Sequence, residues 1–247
     1  MKKRLILILA VLFFASLACS IFTGPVSDDT PAPELAPENI EEPAAAPAPT
    51  IIIAEEPAVV DKTIRIDDFS DTNSGWPESA TEGGHAYYES GEYHIEVNDT
   101  QLDLWAHPGW NMPNDLSIEV DATKVSGTDD NDYGIICRYN DNDTSTDYYF
   151  FIISSDGFAG IGLSLGDDTS IISGESMEET AEIIQGNAKN HIRADCVGSH
   201  LALYINGVQV AFANDSTLSS GDVGLMAGTF DIPDVNIMFD NFVVSTP

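Results

Sequence analysis

The sequence predicts an all-β fold over residues 62–247, a sandwich of two antiparallel sheets. Three observations carry this. Apolar residues recur in short alternating or doubly apolar runs (93–97, 116–123, 133–139, 148–153, 159–165, 191–197, 201–205, 237–244) between clusters of Asp, Asn, Gly and Ser. Period two marks a half-buried strand, and regular turn clusters mark a sandwich. Helical periodicity is nearly absent from the same region. Finally, residues 201–205 and 208–212 flank Asn206-Gly207, a pair suited to a type I′ hairpin because both central residues take positive φ.

Ahead of the sandwich the chain opens with Met1-Lys2-Lys3-Arg4, an apolar run from Leu5 to Phe14, then Ala15 and Ser16 before Leu17-Ala18-Cys19. A basic start, an apolar stretch and small residues make a signal peptide over 1–18. The stretch falls short of the ~20 residues that cross a hydrocarbon core. The segment before Cys19 resembles a bacterial lipobox, with Ser16 where Leu is usual. That resemblance implies a diacylglycerol on Cys19 and an anchor on the outer face of a bacterial membrane. Secretion without a lipid is the alternative, since Ser-Leu-Ala also suits an ordinary signal peptidase.

From Ser20 to Asp61 there is no Lys or Arg, and nine acids alternate with Pro-Ala-Pro and Glu-Pro steps. Such a stretch buries no core, and its self-repulsion favours an extended spacer reaching at most about 130 Å at ~3.1 Å per residue. Residues 19–61 are therefore read as a disordered linker. The apolar run Thr50-Ile51-Ile52-Ile53 within it has no physical account.

The chain holds 41 acidic and 9 basic residues, a formal net charge of −32; loss of Lys2, Lys3 and Arg4 leaves 6 basic residues and about −35. Phosphate backbones are repelled, which argues against nucleic acid as a partner. Divalent cations are attracted instead. Of the three cysteines, lipidation of Cys19 leaves Cys137 and Cys196 as a candidate disulfide in an oxidising compartment. Two buried thiols are the alternative. A bridge would close a loop of roughly sixty residues and stabilise the fold by about 4 kcal/mol.

Within the sandwich, alternation sends Ile118, Val120 and Ala122 inward and leaves Glu119 and Asp121 on the wet side of their strand. It likewise sends Leu201, Leu203 and Ile205 inward, with Ala202 and Tyr204 opposite. Residues 180–185 fit one helical turn.

The order of several short motifs resembles the concanavalin A-like jelly-roll superfamily, in its branch of extracytoplasmic bacterial domains related to 3-keto-disaccharide hydrolase-like and laminin G-like modules. The matching stretches are Asp67-Asp68-Phe69-Ser70-Asp71 with Gly75-Trp76, Gly134-Ile135-Ile136-Cys137-Arg138-Tyr139 with Tyr148-Tyr149-Phe150, Asn190-His191-Ile192-Arg193 with Leu203-Tyr204-Ile205-Asn206-Gly207, and Gly221-Asp222-Val223-Gly224-Leu225 with Phe239-Asp240-Asn241-Phe242. The resemblance implies a jelly roll whose first and last strands lie side by side. It also implies a structural calcium near that seam, with Asp67, Asp68 and Asp240 as candidate ligands. Ca²⁺ wants six to eight oxygen ligands; solvated acids are the alternative.

Family 16 glycoside hydrolases on this fold carry Glu-x-Asp-x-x-Glu on one strand. Glu119 and Asp121 match its first two positions and are the catalytic candidates should the chain be an enzyme, but Lys124 replaces the third acid. Retaining hydrolysis needs two carboxyls about 5–5.5 Å apart, and an ordinary lysine cannot alternate between acid and base. Asp141-Asn142-Asp143-Thr144-Ser145-Thr146-Asp147 lacks the Gly and closing Glu of an EF-hand and is read as a polar turn, as is Asp129-Asp130-Asn131-Asp132. The five histidines show no metal-ligand spacing, no serine- or cysteine-nucleophile motif is present, and Gly157, Gly160 and Gly162 lack the following helix of a dinucleotide loop.

For a sugar ligand, stacking aromatics beside fixed polar groups are needed. Trp105 and Trp110, flanking the turn-like Ala106-His107-Pro108-Gly109, are the best candidates for exposed rings. Arg138 and Arg193 stand in strands of an acidic domain, where they either pair with acids or line a ligand face. The leading expectation is a surface-tethered module that binds a carbohydrate or cell-envelope glycan without catalysis and without a required cofactor. The rivals are a glycoside hydrolase and a structural adhesion or sensing module.

Overall fold

The structure, a computed structural model, describes residues 62–110, 112–142 and 145–247. The signal peptide, Cys19, the linker with its Ile51–Ile53 run, and Asp143 and Thr144 of the acidic turn lie outside the described residues. Among the described residues there are sixteen strands and no helix. In chain order they are β1 (Lys62–Asp67), β2 (Ser79–Ala80), β3 (Gly84–Glu89), β4 (Glu92–Val97), β5 (Leu102–Ala106), β6 (Leu116–Ser126), β7 (Asn131–Asn142) and β8 (Ser145–Ile153). The second half supplies β9 (Phe158–Leu165), β10 (Asp168–Ile171), β11 (Glu178–Glu179), β12 (Lys189–Val197), β13 (His200–Ile205), β14 (Val208–Asn214), β15 (Asp222–Thr229) and β16 (Val235–Thr246).

They form two antiparallel sheets. The nine-stranded sheet runs β14-β13-β12-β6-β16-β4-β3-β2, with β1 also on β16; the seven-stranded sheet runs β10-β9-β8-β7-β15-β5, with β11 also on β9. The alternation read from the sequence decides which side chains enter the space between them. Ile118, Val120 and Ala122 from one sheet meet Ile135, Tyr149, Phe151 and Leu225 from the other, all fully buried. Burying a side chain such as Phe151 stabilises by about 2–3 kcal/mol. The predicted hairpin is present: Ile205 pairs with Val208, and Asn206 and Gly207 have φ of 51° and 87°. Leu201, Leu203 and Ile205 face the core.

Cys137 on β7 and Cys196 on β12 are bonded, with Cα atoms 6.9 Å apart, so one covalent staple joins the two sheets through the core. The first and last strands are neighbours: β1 pairs with the end of β16, Asp67 opposite Phe242. Asp67 then organises the chain that follows. Its Oδ1 accepts from Phe69 N at 2.9 Å and its Oδ2 from Trp76 Nε1 at 3.1 Å. This seats both rings against Tyr93 and Phe242 at the sandwich end.

One expected element is absent. Residues 180–185 form no helical turn. Their backbone groups are taken by side chains from elsewhere: Asn190 accepts from Ile184 N (2.9 Å) and donates to Ile184 O (3.0 Å), while Asn206 donates to Glu182 O (2.8 Å). With Ile183 buried as an anchor, tertiary hydrogen bonds replace the local ladder that a helix would need.

Candidate functional site

The two outward sheet faces differ. On the seven-stranded sheet the outer face is apolar and grooved. Ile136, Tyr139, Tyr148, Phe150, Ile152 and Met226 form a second, smaller cluster there, separate from the main core. Part of the groove wall comes from residues 172–177, which leave β10, bulge over the outer face at β9 and return as β11 on the same edge of that strand. Gly160 lies beneath the bulge: a Cβ there would stand 3.2 Å from Met177 Cγ and 3.3 Å from Ile171 Cδ1. Gly162 leaves room for the Phe150 ring to lie flat. Two of the glycines that fail as a dinucleotide loop, Gly160 and Gly162, thus shape this floor.

Along the floor runs a row of rings. His107 stacks on Tyr139 (centroids 4.2 Å), Tyr139 on Tyr148 (5.9 Å), and Tyr148 meets Phe150 edge-on (6.2 Å). Trp105 lies beside the row, 5.8 Å from Tyr148, and donates from Nε1 to the Tyr139 hydroxyl at 3.3 Å. Trp105 is 39% exposed, as the sequence suggested. Burial holds the Tyr148 hydroxyl pKa up at about 12, so it remains a neutral donor.

Cavities open along this row. One of about 490 Å³ is lined by Tyr148, Phe150, Ile152, Met226, Met177 and Asp132, among others. A second, of about 470 Å³, lies between His107, Trp110, Tyr139 and Asp222. Asp222 Oδ2 accepts from Gly109 N (2.7 Å) and faces His107 Nδ1 (3.2 Å), while its Oδ1 has no partner. A third pocket lies beside Trp105 with Asn142, Ser145, Thr146 and Asp167. Together they present flat rings flanked by carboxylate and hydroxyl groups, the surface that stacks and hydrogen-bonds a sugar.

The remaining candidates fall elsewhere. Trp110 is drawn into the sandwich end: its ring packs edge-on against Trp76 at 5.8 Å, lies under the Arg65 guanidinium at 4.6 Å, and donates to Ser74 O at 3.3 Å. It is half-buried and still lines the cavity with His107, Tyr139 and Asp222. Arg138 is 3% exposed, and its nitrogens point at the carbonyls of Leu218 (2.8 Å), Asn114 (3.3 Å) and Cys196 (3.5 Å), with Asp115 at 3.8 Å. It ties loops together rather than facing a ligand. Arg193 lies on the nine-stranded sheet, bidentate on Asp195 (2.8 and 3.1 Å) and over the Tyr204 ring at 5.3 Å.

Glu119 and Asp121 also lie on the outer face of the nine-stranded sheet. Both bind one imidazole: His191 Nε2 is 3.0 Å from Glu119 Oε2 and Nδ1 is 2.9 Å from Asp121 Oδ1. Burial pushes the Asp121 pKa up, but hydrogen bonds from His191, Lys189 and Asn241 outweigh it and hold the carboxyl below its ordinary value. Lys124 follows the inward register, is 2% exposed, and bonds Gly127 O and Asp129. The three positions of the hydrolase-like pattern therefore stand on opposite faces of one sheet.

Asp67, Asp68 and Asp240 are not gathered into a ligand set. Asp67 is committed to Phe69 and Trp76, Asp68 accepts from Ser70, and Asp240 accepts from Asn241. Among the described residues no group of three or more His, Cys, Asp or Glu is placed to hold a metal ion. The Asp129–Asp132 run is not one turn. Asn131 begins β7, fully buried on Ser155 and Thr128, and Asp132 projects from the strand to the groove floor. Asp103 was not singled out by sequence reasoning, Asp132 entered only within a polar turn, and Tyr139 and Asp222 only among the stretches that carry the fold resemblance. The strand period alone places Asp132 and Ile136 on one face, but nothing local marks that face as grooved.

No family model and no curated protein sequence matches the chain. Solved structures do. The carbohydrate-binding module CBM66 of Bacillus subtilis superposes with a TM-score of 0.56 at 18% identity, covering 70% of this chain and 96% of that one. A Bacillus subtilis protein of unknown function with a galectin-like fold gives 0.55 at 9% identity over 75% and 96%. A β-glucanase of Bacillus licheniformis gives 0.50 at 10% identity over 75% and 98%. All are sandwiches of the same build.

Proposed function

From a concanavalin A-like jelly-roll sandwich with a ring-lined groove on one outer face, we propose that this chain is a surface-tethered extracytoplasmic module that binds a carbohydrate or cell-envelope glycan without cleaving it. The observation that carries this reading is the row His107, Tyr139, Tyr148 and Phe150 with Trp105 beside it, opening onto unpartnered carboxylate oxygens. The likeness to a carbohydrate-binding module and a β-glucanase supports a carbohydrate ligand by analogy of fold. The engagement of Glu119 and Asp121 by His191, and the inward turn of Lys124, support binding over the family 16 type of catalysis.

The tether belongs to the same reading: signal peptide 1–18, a lipid on Cys19 and the acidic linker 19–61 hold the sandwich off the outer face of a membrane. Mass spectrometry of the mature N-terminus tests it, and an unmodified Cys19 would remove the anchor while leaving export. No cofactor is required, and a melting temperature unchanged by chelator is expected.

Hydrolysis has one observation in its favour, two carboxyl groups, Asp103 and Asp132, that approach each other in the groove. A glycan array run beside a reducing-end assay separates the readings. Binding that Trp105→Ala weakens, without turnover, supports the module; turnover that Asp132→Asn abolishes would replace it with a hydrolase.

A further inference from the structure

Asp103 on β5 and Asp132 on β7 are both register partners of Gly228 on β15. Because Gly228 has no side chain, the two carboxyls close over it. A Cβ there would stand 2.0 Å from Asp103 Oδ1 and 2.7 Å from Asp132 Oδ1, so the oxygens are no farther apart than those lengths laid end to end. Asp132 is 5% exposed, and its Oδ1, in the groove wall, has no hydrogen-bond donor. Asp103 keeps part of its surface on the solvent, with its carboxyl end at the same wall.

Two carboxylates held this close repel, and the buried Asp132 acceptor without a donor costs stability. The neighbours do nothing to relieve this. Tyr148 faces the pair from β8, Glu175 from residues 172–177, and Gln101, Thr229, Phe230 and Asp231 from the rim. No Lys, Arg or His lines either cavity at the pair. What the site lacks is a positive charge.

Calcium fits poorly. It needs six to eight oxygens, whereas the floor here is Phe150, Ile152 and Met226 and no third acid joins the pair closely enough to hold a metal. A primary ammonium needs three acceptors at most and is drawn to ring faces as well as carboxylates. We propose that Asp103 and Asp132 seat a primary ammonium group on the bound sugar, so that the groove selects a glycan with free amino groups, an N-deacetylated amino sugar, over its N-acetylated or neutral counterpart. This rests on the carbohydrate reading above.

The test is calorimetric titration of the purified full chain with a glucosamine oligomer and with the N-acetylglucosamine oligomer of the same linkage and length. At neutral pH the free-amine oligomer binds about tenfold or more tighter, one tenfold step being about 1.4 kcal/mol. Asp103→Asn and Asp132→Asn each abolish that ratio by weakening the free-amine oligomer towards the affinity of the N-acetylated one. Each variant removes one of two facing like charges and should melt no lower than wild type, which separates loss of the site from loss of the fold. Glu89→Gln, an exposed acid on the other sheet, keeps the ratio. Lowering the pH removes it, because burial raises both carboxyls, and Asp103 raises Asp132 further, so the pair takes up a proton while Tyr148 stays neutral.

Equal binding of the two oligomers overturns the ammonium seat and leaves the carbohydrate reading standing. Loss of the ratio in Glu89→Gln as large as in Asp132→Asn overturns it in favour of general attraction to an acidic protein. Competition by calcium at concentrations that do not affect Asp132→Asn overturns it in favour of a metal site. Binding of neither oligomer nor any other glycan overturns both readings.

Discussion

The outer faces of the two sheets carry acidic side chains to opposite effect. At the centre of the nine-stranded sheet, on β6 and β12, the acids are answered from within the protein: Glu119 and Asp121 by His191, Asp121 also by Lys189 and Asn241, and Asp195 by Arg193. On the seven-stranded sheet, Asp103 and Asp132 face each other, Asp222 leaves one oxygen unpaired, and the surrounding surface is aromatic and hollow. A face whose charges are already satisfied gains little from a ligand. A face that holds unpaired acceptors beside open rings gains on both counts.

The largest effect on this contrast comes from the staple that joins the sheets. Cys137→Ser with Cys196→Ser opens a loop with a sequence separation of 59 residues and should lower stability by about 4 kcal/mol on the chain-entropy account, read as a lower denaturant midpoint. Next comes the ring row. Trp105→Ala should weaken glycan binding by about 2 kcal/mol, roughly thirtyfold, whereas Tyr204→Ala on the opposite face should leave the isotherm unchanged. Equal losses from both would dissolve the distinction between the faces.

A smaller effect separates the faces by the sign of their pH dependence. Asp132 has a raised pKa, from burial first and Asp103 second, so its folded form holds a proton better than the unfolded chain does. The charge penalty is absent below the ordinary carboxylate pKa and grows as pH climbs through the raised folded value. Asp132→Asn should therefore stabilise by about 1 kcal/mol at neutral pH, a melting shift of about 2–4 °C, and the gain should vanish in acid. Asp121 is held below its ordinary pKa, so its contribution is present above the unfolded value and lost as pH falls through the folded one. Asp121→Asn should thus destabilise at neutral pH and converge with wild type in acid. Melting curves across that range check both signs. The smallest effect is at Lys189, whose side chain is 58% exposed where it meets Asp121 at 3.0 Å; Lys189→Ala should change stability by only about 0.3 kcal/mol, less in high salt.

Much of the fold was legible residue by residue. Alternation predicted that Glu119 and Asp121 face out while Ile118, Val120 and Ala122 face in, and the structure agrees. Asn206-Gly207 predicted its hairpin because positive φ is a local property. The helical turn at 180–185 misled because its backbone partners, Asn190 and Asn206, come from strands and turns later in the chain. Trp110 is half-buried rather than exposed, since its packing partners Trp76 and Phe242 come from distant segments, yet it still lines a groove cavity.

The site was less legible. Trp105 was found because a Trp beside a turn-like stretch is a reasonable surface ring. The pairing of Asp103 with Asp132 had no sequence signal, because the two meet only when β5 and β7 dock on either edge of β15 with a glycine between them. By itself, then, the sequence determined the strand alternation, the sandwich class and the hairpin, all properties of neighbouring residues and their periods. Only the tertiary structure decided which outer face is hollow and which acids stand unpaired. Those depend on strand order and on the bulge of residues 172–177 over β9, and long-range pairing leaves no local trace.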